Sequence, residues 1–81
     1  MTTHSHAELS AVIAETLQLS PEEISDATGP ATEARWTSLK HVQLVVAVEE
    51  AFGLSLSHQE MRDFRTVGDV RAALRRRGVL E

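Results

Sequence analysis

Between Thr37 and Gly53 apolar residues recur at helical spacing, and that stretch constrains the fold more than any other part of the chain. Leu39, Val42 and Val46 form one row, and Leu44, Val48 and Phe52 form a second. The spacing predicts a helix that is buried over much of its surface. Thr37 is placed to cap its start, with its side-chain oxygen taking an unpaired N–H of the first turn. Gly53 is placed to stop it. Ser38 then falls in the first turn, where N–H groups point outward and the helix dipole is positive. That is a natural seat for a phosphate or phosphodiester. The stretch offers one exposed serine at the positive end of a buried helix.

Three more helices are expected around it. Ser5-His6-Ala7-Glu8 has the spacing of a capping box, and Leu9, Val12, Ile13, Thr16 and Leu17 follow as a stripe. This gives a first helix over about 6–19, after a flexible N-terminus of residues 1–4. Ser20-Pro21-Glu22-Glu23 predicts one short turn, with Ile24 pinning it to the core. Residues 25–35 read as a loop, long for 81 residues, that crosses one end of a bundle. Trp36 reads as its anchor in the core, or else as a surface aromatic that touches a ligand or partner. Leu54 and Leu56 alternate with serines but have no second strand to pair with, so they read as an extended link. Ser57-His58-Gln59-Glu60 starts a short third helix over about 58–63, with Met61 and Phe64 turned inward. Thr66-Val67-Gly68-Asp69 starts the last, over about 67–77, burying Val67, Val70, Ala73 and Leu74. Arg75, Arg76 and Arg77 complement its negative end, and Val79 and Leu80 fold back beyond Gly78. The expectation is a single all-α domain over 1–81, a four-helix bundle of three longer helices and one short third helix with a long first loop.

Charge and composition exclude several functions. Residues 1–60 carry a net −7 and residues 61–81 a net +3. An acidic body disfavours nucleic acid as the main partner and suits partners with basic docking patches. The chain has no cysteine, so it offers no disulfide framework or thiolate metal site, and any thiol chemistry must come from an added group. His4 and His6 read as a solvated tail rather than a metal site. The polar start is not a signal peptide, and no apolar run reaches membrane-spanning length, so a cytoplasmic monomer is expected.

Trp36-Thr37-Ser38-Leu39, with Val42, Leu44-Val45, Glu49-Glu50 and Phe52-Gly53, resembles the attachment helix of acyl and peptidyl carrier proteins. Thr66-Val67-Gly68-Asp69-Val70 resembles that family's last-helix start. The family usually has Asp-Ser-Leu where this chain has Thr37-Ser38-Leu39. The resemblance implies a bundle of the acyl-carrier type that is not itself an enzyme. It implies a 4'-phosphopantetheine, taken from coenzyme A by a phosphopantetheinyl transferase and joined to Ser38 between Thr37 and Leu39. The arm's thiol would hold acyl or aminoacyl groups as thioesters. Partners would be an acyl- or aminoacyl-loading enzyme and downstream synthases or transferases of a fatty-acid, polyketide or nonribosomal-peptide pathway. The length fits a free-standing carrier. Lys40, Gln43, Glu49, Glu50 and Met61 are the expected docking residues. Leu39 and Met61 would shelter the arm at the edge of the core, with Val42 and Val46 packed mostly inside it. Two rivals stand beside this reading. One is a docking or regulatory module that keeps the fold without the arm. The other is a hydrolase using Ser38 and His41, for which no acidic third member or Gly-x-Ser-x-Gly elbow exists.

Overall fold

Each helix starts on a hydroxyl residue, because Ser and Thr accept from the otherwise unpaired N–H groups of a first turn. In the computed structural model, which describes residues 3–81, α1 runs His6–Leu17, α2 Ser38–Phe52, α3 His58–Asp63 and α4 Val67–Arg76. Ser5 caps Glu8, Thr37 caps Lys40, Ser57 caps Glu60 and Thr66 caps Asp69. In α1, α3 and α4 the third residue is acidic and returns a hydrogen bond to the cap, whereas α2 has Lys40 there and no acid in its first turn. A 3-10 turn at Pro21–Glu23 follows α1. Among the described residues there is no strand, and no helix is long and apolar enough to cross a membrane.

The core is one cluster. Leu9, Ile13 and Leu17 of α1 meet Leu44, Val45, Val48 and Phe52 of α2, and Val67, Val70, Ala73 and Leu74 of α4 close the other side. Phe64, Trp36, Val79 and Leu80 seal its ends, and Ile24, Leu54, Leu56 and Met61 pack at its margin. The long loop lies on the start of α4. Val67 and Gly68 donate their N–H groups to the carbonyls of Thr28 (2.8 Å) and Asp26 (3.0 Å), so the loop's backbone satisfies donors that α4 cannot. Arg71 ties the same corner together, donating to Asp26 Oδ1 at 3.0 Å and to the His6 ring.

Three expectations are corrected. α1 closes at Leu17, not at 19, because Gln18 turns left-handed (φ 60°) and Leu19 N–H returns to Ala14 O. α4 closes at Arg76, with Arg77 as its cap. Residues 1–4 were expected to be flexible. Residues 1 and 2 lie outside the described residues, but His4 is held. Its backbone bridges Leu80, through His4 N–H to Val79 O (2.8 Å) and Glu81 N–H to His4 O (3.0 Å). Its ring meets Phe52 edge-on at 4.7 Å and reaches Glu8 at 2.6 Å. The folded-back C-terminus supplies the partner that the N-terminal sequence alone does not reveal.

The caps carry a pH dependence. The His4 ring and then the Ser5 N–H hold Glu8 below the ordinary glutamate value. The Ser20 N–H and hydroxyl do so for Glu23, and the Ser57 N–H and then Arg77 for Glu60. A carboxylate whose folded value is depressed adds stability above its unfolded value, and that stability is lost as pH falls through the folded value. The melting temperature should therefore hold down to about pH 5 and fall below about pH 4.3. A Glu8→Gln, Glu23→Gln, Glu60→Gln variant should show a shallower fall in a melting series across pH.

Candidate functional site

Among the described residues the N-terminus of α2 is the one helix start with no acidic residue in its first turn. Thr37 is extended (φ −82°, ψ 173°), and its Oγ1 accepts from Lys40 N–H at 3.2 Å while its carbonyl accepts from His41 N–H at 2.8 Å. Ser38 and Leu39 keep the remaining first-turn N–H groups. Ser38 is exposed. A phosphodiester on its oxygen would meet those N–H groups and the positive dipole end without displacing a carboxylate.

Ser38 stands on the wall of an open cleft of about 490 Å³. Pro30 and Ala31 of the long loop form its exposed apolar surface, to which the buried Trp36 and Phe64 add only their edges. Thr37, His41, Arg62 and Arg65 complete it. Trp36 is 2% exposed, so it is the core anchor, and one edge of it reaches this cleft. Its indole N–H donates to His41 Nδ1 at 3.0 Å, with the two rings stacked 26° apart. An indole can only donate, so Nδ1 is the acceptor and His41 Nε2 carries the proton, donating to Met61 O at 2.8 Å. The imidazole thus clamps the first turn of α2 to α3. Both of its nitrogens are engaged away from Ser38, so it is not poised as a base for that serine.

The other expected residues separate. Leu39, Val42 and Val46 were expected to pack mostly in the core, but they are 66%, 53% and 47% exposed. At about 100° per residue, Leu44, Val48 and Phe52 point one way and Leu39, Val42 and Val46 nearly the opposite way. One face of α2 packs on the bundle and the other faces solvent. Gln43 and Glu50 are exposed beside that second row, and Lys40 is half-exposed. Glu49, expected at a docking face, is half-buried, and its carboxylate accepts from Leu56 N–H at 2.7 Å. It fastens the link after α2. Met61 is half-buried, and its carbonyl is the clamp's acceptor. Sequence reasoning missed the clamp and the two arginines of the cleft. Both join residues far apart in sequence and follow no spacing rule.

Residues 7–74 match the family model described as "Phosphopantetheine attachment site". Among curated proteins the chain is similar to three proteins named acyl carrier protein. That of Chlamydia muridarum is 30% identical over 63 residues, covering 78% of this chain and 82% of the relative. That of Thermosynechococcus vestitus is 33% identical over 60 residues, 74% of each. That of Wolinella succinogenes is 36% identical over 59 residues, 73% of this chain and 78% of the relative.

Proposed function

Because the chain belongs to the phosphopantetheine attachment-site family, and is thus a carrier bearing a covalent 4'-phosphopantetheine, we propose that Ser38 is the attachment point and that acyl or aminoacyl intermediates travel on the arm between enzymes. The observation that carries this is the exposed Ser38 at the uncompensated positive end of α2, on the wall of the cleft. When bound, the arm supplies a thiol that holds cargo as a thioester. The chain's own residues do the rest. Thr37 fixes the helix start through its bond to Lys40 N–H. The N–H groups of Ser38 and Leu39 would meet a phosphodiester on the Ser38 oxygen. The Trp36–His41–Met61 clamp keeps the root of the arm rigid, so that reach comes from the arm alone. A phosphopantetheinyl transferase adds the arm from coenzyme A, and a loading enzyme and later synthases or transferases use it. The setting is a cytoplasmic fatty-acid, polyketide or nonribosomal-peptide pathway, with this domain acting as a monomer. The test is cargo loading. The arm-bearing protein should take up acyl groups in a bond that hydroxylamine cleaves, and the unmodified protein should take up none.

The exposed row of Leu39, Val42 and Val46, flanked by Lys40, Gln43 and Glu50, is the face we assign to partner docking. Partners with an apolar patch and mixed charge would fit it. Exposed side chains contribute little to folding, so Leu39→Ala and Val46→Ala should each shift stability by no more than about 0.5 kcal/mol. Each should slow modification by a transferase several-fold. Loss of stability of about 2 kcal/mol or more, the size expected for a core site, would return both residues to the core.

A further inference from the structure

Two arginines line the cleft beside Ser38, and among the described residues neither has an ion-pair partner. Arg62 donates only to the neutral Gln59 Oε1, at 3.3 Å. Arg65 forms no ion pair among the described residues, whereas Arg35, Arg71 and Arg77 each have one. The nearby acids are already used. Asp63 accepts from Gln59, and Asp69 accepts from the backbone N–H groups of Arg65 and Thr66. The chain has twelve acidic residues and a net charge of −4, yet no acid lines this cleft. Its other polar groups are largely engaged. Thr37 Oγ1 caps the helix, and both His41 nitrogens are bonded within the chain. What remains is the exposed apolar surface of Pro30 and Ala31, with only the edges of the buried Trp36 and Phe64, beside two guanidinium groups, which suits a ligand with an apolar body and an anionic end.

We propose that this cleft holds arm-borne cargo that carries a free carboxylate, its body against Pro30 and Ala31 and the edge of Trp36, and its carboxylate on Arg62 and Arg65. The inference rests on attachment of the arm at Ser38. The arm's own phosphodiester is a second source of negative charge. It is fixed at the serine oxygen, where the first-turn N–H groups and the helix dipole already face it. A cleft of about 490 Å³ also has room for much more than a phosphate. The enzyme upstream would therefore be one that activates a dicarboxylic acid or similar acid at one end and leaves the other carboxylate free.

The test loads the unmodified protein from glutaryl- or pentanoyl-coenzyme A with a broad-specificity transferase, so that arm and cargo arrive together. Intact mass confirms each loaded species. Failure to load at all, in the native chain and in Thr37→Asp alike, would overturn attachment itself, and this inference with it. In the loaded proteins, glutaryl should shift the NMR signals of the Trp36 indole N–H and of the Arg62 and Arg65 Nε–H groups. It should also slow hydroxylamine cleavage about fivefold relative to pentanoyl at low salt, a ratio in the range of a charge-assisted contact. Arg62→Gln with Arg65→Gln should abolish the difference and leave the pentanoyl rate and the melting temperature unchanged. Equal behaviour of the two cargoes would overturn the proposal. So would the same arginine shifts in protein bearing the bare arm, which would assign the arginines to the phosphodiester.

Discussion

Gly29→Ala should lower the unfolding free energy by about 3 kcal/mol, although it adds a single methyl group to a loop. A Cβ on Gly29 would lie 2.0 Å from the Arg65 carbonyl oxygen and 3.1 Å from its carbon, with Thr66 Cα at 3.3 Å. These are backbone atoms and cannot rotate aside. If the loop lifts, the bonds from Val67 N–H to Thr28 O and from Gly68 N–H to Asp26 O are lost, and the first turn of α4 is left with unpaired donors. If the chain after α3 moves instead, it carries Phe64 and Arg65 out of the cleft. Either response removes a sizeable part of the roughly 5–15 kcal/mol that stabilises a small domain. Gly53→Ala is the control. Gly53 has φ 67° and nothing within 4 Å, so its substitution carries only the strain of a left-handed side chain, about 1 kcal/mol. Urea unfolding of both variants measures the difference. A Gly29→Ala loss no larger than that of Gly53→Ala would show that the loop does not press on the α3–α4 link.

That contact also marks where the sequence stops being informative. Ser5, Thr37, Ser57 and Thr66 announce the helix starts, because capping is local chemistry between residues three apart. The helix spacing and the attachment-type motif at Thr37-Ser38-Leu39 are legible for the same reason. The two apolar rows of α2 are also legible, but not which of them is buried. Leu39, Val42 and Val46 read like core residues until the bundle assigns its inside to Leu44, Val48 and Phe52. The clamp through His41 joins positions 36, 41 and 61. It exists only once α3 crosses the start of α2, so no spacing foretells it. Glu49 looks like a surface acid and becomes a tether only because the chain turns back at Gly53 to bring Leu56 N–H to it. His4 reads as a loose tail because its partners, Val79 and Glu81, lie at the other end of the chain.

Ser38→Ala should abolish attachment of the arm and leave the fold intact. The serine is exposed, and the cap of α2 is Thr37, so stability should change by no more than about 0.5 kcal/mol. Thr37→Ala should do the reverse in part. Removing the acceptor for Lys40 N–H costs about 1 kcal/mol and loosens the helix start, but leaves the hydroxyl of Ser38 in place. Modification should then be slowed, not abolished. The two substitutions separate the residue that bears the arm from the residue that positions it, since only the first should leave no modified protein after long incubation.

Attachment at Ser38 is the central claim, and intact mass after incubation with coenzyme A and a broad-specificity phosphopantetheinyl transferase tests it most directly. The native chain should gain one phosphopantetheinyl group, and Ser38→Ala should gain none while melting at the same temperature. A full gain on Ser38→Ala would contradict the claim, as would no gain on the native chain even with Thr37→Asp restoring the family's usual residue.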